Sequence, residues 1–398
     1  MGLGVACRNK RFLLASSFRR AGTLGLICLG TVSIWCQTRD LATTDDGSKL
    51  YFSSTLRLKG TDEYGNGKIF EYANGAYTLI AQGTPSATLS DGSAFQFALR
   101  MPSVSGDGTI LTYDGTASCS GGQLCLGSFT SNGFIMGAKL DVNMTWFGSL
   151  RISHNGRYAL RFGGLRNVLP YQETASFYDR QSGKYVAVLL GCTIDGDGRQ
   201  SITDDGAVLT NNGLWRDGQL AGPSLSPGGF LSRISPDGSI VVYETFVSTW
   251  CYGDFAFGGC DVNNVLHARN VATGVDVQIA QGPTYGQRRD ATQGQPYFFP
   301  SLSNDGRFVL YRAPDAQSGQ PQVFLSTTDG TMLRKLTAER AGIAEAVLSG
   351  DGHRAYAVKR AGGLLSIDVD SGQVQTLPNP FRRTSATGAL AIAERRHD

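Results

Sequence analysis

Seven copies of a short signature, spread along this chain, constrain its fold more than any other feature. Each copy has a hydroxyl residue, one variable residue, Asp or Asn, and then Gly, with an apolar residue four positions after the Asp or Asn. The copies end in Asp46-Gly47, Asp107-Gly108, Asn155-Gly156, Asp205-Gly206, Asp237-Gly238, Asp305-Gly306 and Asp351-Gly352. Such a repeat must be recognised first, because each copy is one structural unit of a repeated architecture.

Each copy predicts a strand, a tight turn and a second strand. Gly adopts a positive φ without steric cost, and Asp and the hydroxyl residue can hydrogen-bond the backbone of the turn. The segments after the turns, such as 240–243 and 308–311, are rich in β-forming residues, and further strands follow at 69–72 and 77–80. We therefore interpret the seven Asp and Asn side chains as turn-forming rather than as a catalytic array of carboxylates.

The spacing of the copies predicts the architecture. Successive turns are between 32 residues (Asp205 to Asp237) and 68 residues (Asp237 to Asp305) apart. A unit of about 40–50 residues with four antiparallel strands is typical of a propeller blade. We predict an all-β chain folded as a seven-bladed β-propeller of four-stranded antiparallel blades over residues 39–380.

Two copies carry a family resemblance. The segment 233–243, which contains Ser235-Pro236-Asp237-Gly238, and the segment 302–311 resemble the repeat of TolB-like, or WD40-like (PD40), β-propellers. That resemblance implies the propeller fold for nearly the whole chain. It does not imply one function, because such repeats occur in periplasmic translocation proteins, in front of serine peptidase domains and in many secreted proteins.

The two ends of the chain are predicted to lie outside the propeller. Five Arg and Lys residues between Arg8 and Arg20 precede an uncharged, mostly apolar run from Ala21 to Trp35. This order is typical of a secretory signal, so we assign residues 1–38 to a signal peptide, with an uncleaved anchor or a misassigned start as alternatives. Residues 381–398 form a polar tail that either supplies a closing strand or is disordered. We expect an extracytoplasmic protein, periplasmic or secreted.

The cysteines are consistent with export. Cys119 and Cys125 flank one short loop, and Cys251 and Cys260 flank another at the equivalent place in a later repeat. Two pairs at matching positions predict two hairpin-bridging disulfides, which an oxidising compartment permits, with free or buried thiols as the alternative.

Composition and motifs argue against several classes of function. The formal net charge is only +3 and 17 % of the residues are charged, so bulk charge does not predict nucleic-acid binding. The sequence has no Gly-x-Ser-x-Gly motif and no segment that could form an α/β-hydrolase domain. His154 and His353 lie in or beside turns, and we expect both to be exposed turn residues.

One acidic segment resembles a calcium loop. Asp195 and Asp197 alternate with glycines and are followed by Asp204, a pattern that partly fits an EF-hand-like site. Ordinary loop composition and the blade turn explain the same residues. Calcium is therefore a candidate ligand, and no other cofactor or metal is predicted.

Two sets of residues are candidates for partner binding. Four positions before the turn Asp, the repeats place Arg151 and Arg233 in a polar column that we expect near the channel mouth, where they could contact an anion. The alternative is ion pairing between neighbouring blades. The second set comprises the aromatic residues of one long loop, which could otherwise pack over the blade: Trp250, Tyr252, Phe255 and Phe257.

These observations predict an exported, non-enzymatic and monomeric propeller that binds a protein or peptide through one face or through the central channel. Contact with a membrane is expected only through the N-terminal segment. Two alternatives remain: a propeller enzyme of the lyase or glycosidase type with a channel site, and a propeller module detached from a larger protein. Fold alone does not decide among them.

Overall fold

A computed structural model describes the central part of the chain and leaves out both termini. The described residues are 38–54, 67–81, 87–88, 94–95, 98–118, 124–130, 149–165, 172–190, 200–210, 213–216, 219–220, 230–252, 259–282 and 298–378. Residues 1–37 of the predicted signal peptide and the tail from residue 381 therefore lie outside the described residues, whereas Thr38 begins the first strand. The described residues include no helix long and apolar enough to span a membrane.

All regular elements of the described residues are β-strands, and all strand pairs are antiparallel. We number the sheets 1 to 7 in chain order. Sheet 1 contains β1 (Thr38–Thr43), β2 (Lys49–Ser54), β3 (Lys68–Ala73) and β4 (Ala76–Ala81). Sheet 2 contains β7 (Ala98–Val104), β8 (Leu111–Ser118) and β9 (Leu124–Thr130). Sheet 3 contains β10 (Ser149–Ile152), β11 (Tyr158–Leu165), β12 (Gln172–Asp179) and β13 (Lys184–Leu190). A two-strand pair, β5 (Ala87–Thr88) with β6 (Ala94–Phe95), lies between sheets 1 and 2 in sequence.

The second half of the chain repeats this pattern. Sheet 4 contains β14 (Val208–Thr210), β15 (Gly213–Arg216) and β16 (Gln219–Leu220), and sheet 5 contains β17 (Phe230–Ile234), β18 (Ile240–Tyr252), β19 (Gly259–Asn270) and β20 (Asp276–Gln281). Sheet 6 contains β21 (Ser301–Leu302), β22 (Phe308–Pro314), β23 (Pro321–Thr327) and β24 (Leu333–Lys335). Sheet 7 contains β25 (Ile343–Leu348), β26 (Arg354–Lys359), β27 (Leu364–Asp368) and β28 (Val374–Thr376). Within every sheet, neighbours in sequence are neighbours in space. The prediction of antiparallel, four-stranded units is confirmed for the five sheets in which four strands are described.

The repeated signature forms the turn between the first two strands in six of the seven numbered sheets, and in sheet 4 it lies between the bridge residue Ile202 and β14. In sheet 5, Asp237 Oδ1 accepts hydrogen bonds from Ser235 Oγ at 2.5 Å and from the Ser239 amide at 2.9 Å. Ser235 Oγ accepts the Ile240 amide at 3.0 Å, and Gly238 has φ 76°. The glycines of all seven copies have φ between 61° and 87°. This local chemistry explains why the hydroxyl, the Asp or Asn and the Gly recur together.

The same turn occurs once more outside the seven copies. Thr327 Oγ1 donates to Asp329 Oδ1 at 2.5 Å, and Gly330 has φ 74° in the hairpin between β23 and β24. The motif therefore specifies a tight turn and not a particular place in the sheet.

The apolar core lies between consecutive sheets rather than within one of them. Clusters of buried side chains join sheets 3 and 4, 4 and 5, 5 and 6, and 6 and 7. Another cluster joins the first sheet to the last, with Leu41, Phe52 and Phe70 packed against Val347 and Tyr356. Within the described residues, the strands of sheets 1 and 7 are all consecutive, and there the two ends of the repeat array meet by side-chain packing.

Candidate functional site

The innermost strands of the sheets surround a central cavity with a volume of about 620 Å³. At one end the cavity is lined by the variable residue of the signature, which lies between the hydroxyl residue and the Asp or Asn. Six of the seven copies contribute this residue to the wall: Asp45, Gly106, His154, Pro236, Asn304 and Gly350. We call this the turn end of the channel, since the signature turns lie there.

Backbone hydrogen bonds link successive turns around this end. The Asp45 amide donates to Gly106 O at 2.9 Å, and the Gly106 amide donates to His154 O at 2.8 Å. Further around, the Asn304 amide donates to Gly350 O at 2.8 Å. The variable residues of neighbouring sheets are thus held beside one another, with their side chains directed at the same space.

A network of side chains crosses the turn end of the channel. His154 Nε2 donates to Asp45 Oδ2 at 2.7 Å and His154 Nδ1 donates to Asp204 Oδ2 at 2.8 Å. Asn304 Nδ2 donates to the other oxygen of Asp45 at 2.7 Å. These four residues, which we call the polar clasp, join sheets 1, 3, 4 and 6.

Two glycines make room for the clasp. A β-carbon added to Gly106 would lie 2.2 Å from Asp45 Oδ2, and one added to Gly350 would lie 2.2 Å from Asn304 Nδ2. Neither distance is compatible with a real side chain. The Asp45 carboxylate can therefore reach His154 on one side and Asn304 on the other because the two intervening copies carry glycine.

The two carboxylates keep His154 charged. Hydrogen bonds to Asp204 and to Asp45 raise the pKa of His154 from 6.5 to about 10, against the smaller effect of burial. The imidazole is about one third exposed. The expectation that His154 is an exposed turn residue was therefore wrong, whereas His353, whose side chain is 63 % exposed beside Asp370, fits it. The reason is that the variable position of the signature points into the channel.

The opposite end of the channel is formed where the innermost strands begin, and its backbone is strained. Asp40, Met101, Phe299 and Gln200 have φ of 59°, 55°, 49° and 49°, and all four line the cavity. The pairing register shifts beside two of them, between Arg39 and Ala42 and between Arg100 and Ser103. Non-glycine residues in this conformation are costly and are concentrated at functional sites, where a bulge can redirect a side chain. We call this end the mouth.

Charged side chains of both signs surround the mouth. The Glu345 carboxylate accepts hydrogen bonds from the Asp40 and Leu41 amides, both at 2.8 Å, and so ties sheet 7 to sheet 1. The guanidinium of Arg312 donates to Ala344 O and lies 4.9 Å from the centre of the Phe299 ring. The wall of the mouth therefore combines anionic, cationic and aromatic groups.

Both arginines of the predicted polar column are buried. Arg151 is 2 % exposed and its Nη1 donates to Met101 O at 2.9 Å, in the preceding sheet. Arg233 is 1 % exposed, its Nε donates to Pro300 O at 3.1 Å, and it lines the cavity. Their predicted contact with an anion in the channel mouth stays a prediction.

The serines of the same column connect neighbouring sheets. Ser103 Oγ accepts the Ile152 amide of the next sheet at 3.2 Å, and Ser301 Oγ accepts the Leu348 amide at 3.1 Å. Both serines line the cavity.

A buried carboxylate next to the mouth was missed by sequence reasoning. Glu244 is fully buried, and its Oε1 accepts the amide of the strained residue Phe299 at 2.9 Å. Burial raises the pKa of Glu244 to about 7, although Arg233 and Arg312 act in the opposite direction. The available signal was a charged residue seven positions after the turn Asp, which occurs as Asp114, Glu244 and Arg312.

The remaining predicted residues fall partly outside the described residues. Phe255, Phe257, Cys119, Asp195 and Asp197 lie outside them, whereas Trp250 and Tyr252 belong to β18. Cys251 lies directly opposite Cys260 in the pairing of β18 with β19, while Cys125 lies opposite Ala117.

Asp204 belongs to the polar clasp, and within the described ranges no group of three His, Cys, Asp or Glu is placed to hold a metal ion. The calcium prediction stays a prediction.

Comparisons with known proteins address the fold. Searches against protein-family models and against curated proteins found no match. Among solved structures, the β-propeller domain of the Trilobed protease from Pyrococcus furiosus overlaps this chain with a TM-score of 0.52 and 14 % identity, over 88 % of this chain and 97 % of that one. Acylaminoacyl peptidase in complex with Z-Gly-Gly-Phe-chloromethyl ketone gives a TM-score of 0.51 and 13 % identity, over 92 % of this chain and 55 % of that one. The fold is a β-propeller.

TolB proteins are also among the structural neighbours of this chain. TolB from Acinetobacter baumannii has a TM-score of 0.36 and 13 % identity with this chain, over 74 % of this chain and 53 % of that one. The chain thus spans about half the length of TolB and of acylaminoacyl peptidase. At these identities the likeness concerns the propeller fold, and the function has to be argued from the channel.

Proposed function

We propose that this chain is an exported, non-enzymatic β-propeller, with sheets 1 to 7 as the seven blades of one ring, that binds a protein or peptide segment in its central channel. The cavity of about 620 Å³ supports this proposal. Its size is within the range of about 300–1,000 Å³ usual for binding pockets. The polar clasp at the turn end leaves the mouth as the favoured entrance.

The chemistry of the wall favours a peptide segment as the ligand. A peptide presents amide donors, carbonyl acceptors and side chains of mixed polarity. The channel wall has the same mixed character: it includes the charged side chains of Asp40, Glu345 and Arg312, the last two already hydrogen-bonded to the backbone of the mouth, and apolar side chains such as Ile152 and Ile234. Hydrogen bonds from the Met101 amide to Asp40 and from the Phe299 amide to Glu244 restrain part of this wall, and restraint before binding reduces the entropy lost on binding.

The state of His154 argues against a role of this residue as a general acid or base. A general acid or base must exchange a proton with the substrate near neutral pH. Both ring nitrogens of His154 are already bonded to carboxylates of the chain, and its pKa of about 10 keeps it protonated. We therefore assign His154 to the closure of the channel and not to proton transfer.

Site-specific photo-crosslinking tests the proposal. A photoreactive amino acid is introduced at Ala346, a half-buried residue of the channel wall, and in a control variant at Thr78, an exposed residue of β4. Both variants are exposed to the extracytoplasmic fraction of the producing cell. We expect a discrete crosslinked protein or peptide from position 346 and not from position 78. Equal crosslinking from both positions, or crosslinking from position 78 alone, would place the binding surface outside the channel.

A further inference from the structure

The longest hairpin of the described residues extends beyond its own sheet. β18 has 13 residues and β19 has 12. β17 pairs with β18 only as far as Glu244, which lies opposite Phe230. β20 pairs with β19 only from Val265 onward, where Val265 lies opposite Gln281. Residues 247–252 and 259–263 therefore pair with each other, and no third strand among the described residues pairs with them. We call this two-stranded extension the ribbon.

The ribbon leaves sheet 5 on the side of the channel mouth. β17 runs toward the signature turn at Asp237-Gly238, and β18 runs away from that turn. The mouth is likewise the end at which the innermost strands begin, as shown by Asp40 and Phe299. The topology thus places the ribbon and the mouth at the same face of the propeller.

A ribbon of this kind requires stabilisation from outside its backbone pairing. A two-stranded antiparallel unit without a third strand or a packed face is only marginally stable in water. The register of this ribbon shifts between Ser248 and Trp250, which is a bulge that interrupts its hydrogen-bond ladder.

The register places two cysteines where a cross-link can form. Cys251 is the direct partner of Cys260, one pair from the end of the described ribbon. Residues directly opposite in an antiparallel pair have Cα atoms about 4.5–5.5 Å apart. Disulfides span Cα distances of roughly 4.4–6.8 Å. A bond between Cys251 and Cys260 therefore needs no change of backbone register, whereas the Cys119–Cys125 pair has no comparable support because Cys125 is the partner of Ala117.

We propose that Cys251 and Cys260 form a disulfide that closes the ribbon. One cysteine thiolate attacks a sulfur of a disulfide oxidant, such as glutathione disulfide, and displaces one thiolate. The second cysteine thiolate then attacks the resulting mixed disulfide and displaces the other. The two cysteines lose two protons and two electrons in total, and the oxidant is reduced to two thiols. The formation of this disulfide does not depend on which ligand the channel binds.

Disulfide mapping of the full chain tests the proposal without any substitution. The protein is recovered from an oxidising compartment, or incubated with glutathione disulfide, and free thiols are alkylated before digestion. We expect the peptides that carry Cys251 and Cys260 to be joined and to separate after reduction. Alkylation of both cysteines without reduction, or a link from either of them to another cysteine, overturns the proposal.

A second measurement tests the effect of the bond on the ribbon. Amide hydrogen exchange of residues 247–252 is compared in the oxidised protein, the reduced protein and the variants Cys251→Ser and Cys192→Ser, where Cys192 is a cysteine outside the two predicted pairs. We expect exchange to accelerate about tenfold or more on reduction and in Cys251→Ser, with Cys192→Ser unchanged. The same exchange rate in the oxidised and reduced proteins contradicts a stabilising role.

Discussion

His154 occupies a position that a sequence comparison of the repeats treats as variable, yet it holds four sheets together. Its two ring nitrogens bind carboxylates from sheets 1 and 4, and Asn304 of sheet 6 completes the network through Asp45. The charged form of the imidazole is required for both bonds, because each ring nitrogen must donate a proton. The polar clasp is therefore a pH-dependent contribution to stability.

Substitution of His154 by Gln should reveal this pH dependence. The pKa of His154 is raised from 6.5 to about 10 in the folded chain. Stabilisation by the protonated imidazole is thus fully present below pH 6.5 and is lost as the pH rises toward 10. We expect His154→Gln to lower the free energy of unfolding at pH 6 by on the order of 2 kcal/mol, since solvent screens part of the interaction. Urea denaturation at pH 6, 8 and 10 measures the difference, which should shrink as the pH rises.

His353→Gln is the matched control for this experiment. His353 also pairs with an aspartate, Asp370, but both side chains are mostly exposed. The control should resemble the wild-type protein at every pH. A His154→Gln variant whose stability deficit is equal at pH 6 and pH 10 would show that the imidazolium does not hold the clasp.

Gly350 allows a test of the same network without removing any of its members. The β-carbon of Gly350→Ala would lie 2.2 Å from Asn304 Nδ2 and 2.3 Å from Asp45 Oδ1, so the clasp must move or break. We expect a loss of about 1–3 kcal/mol in the free energy of unfolding. The control Gly282→Ala places its β-carbon 3.5 Å from the nearest atom, an ordinary contact, and should cost less. Equal denaturation midpoints for the two variants would contradict the described packing around Asp45.

At the scale of single elements, the turn between the first two strands is a self-contained unit. Ser105 Oγ and the Thr109 amide donate to Asp107 Oδ1 at 2.6 Å and 2.9 Å. In the third copy, Asn155 accepts the equivalent bonds from Ser153 Oγ at 2.8 Å and from the Arg157 amide at 3.0 Å. Asn therefore supports the turn as well as Asp does, but it does not titrate.

Exchange of Asp107 for Asn should consequently preserve the fold and change its response to acid. The hydrogen bond from Ser105 contributes most to lowering the pKa of Asp107 below 3.8. A carboxylate with a depressed pKa stabilises the fold above pH 3.8, and this contribution is lost as the pH falls through the depressed value. We expect Asp107→Asn to lose less stability than the wild-type protein between pH 5 and pH 2 in thermal denaturation.

Asp107→Ala, which removes the acceptor, should be less stable by about 1 kcal/mol at pH 7. No loss of stability in that variant would contradict the role of the side chain.

The turns illustrate which elements can be predicted from sequence. The hydroxyl, the Asp or Asn and the Gly interact within five residues, so their spacing alone predicts the turn and the strands on either side. The extra copy at Asp329 shows the limit of that inference, because the same residues form a turn between the outer strands β23 and β24.

At the scale of the whole molecule, the channel could not be derived from the same patterns. Residues far apart in sequence meet there: 109 positions separate Asp45 from His154, and 259 separate Asp45 from Asn304. Their contact depends on the order of the sheets around the axis and on which residue of each turn faces inward. The polar residues and the two glycines at the variable position were visible in the sequence, but only the arrangement of the sheets around the channel gives them a meaning. Burial of Arg151 and Arg233 depends on neighbouring sheets and could not be predicted from the sequence pattern.

The central claim, that the partner binds within the channel, is tested most directly by occluding the channel. Ala42 is a half-buried residue of the channel wall, and Ala42→Trp places an indole in the cavity; Thr78→Trp places the same group on an exposed outer strand as a control. The measured quantity is the dissociation constant of the crosslinked partner for each purified, folded variant. The account predicts at least a tenfold weaker complex for Ala42→Trp, which corresponds to about 1.4 kcal/mol, and unchanged binding for Thr78→Trp. Wild-type affinity in a folded Ala42→Trp variant would contradict it.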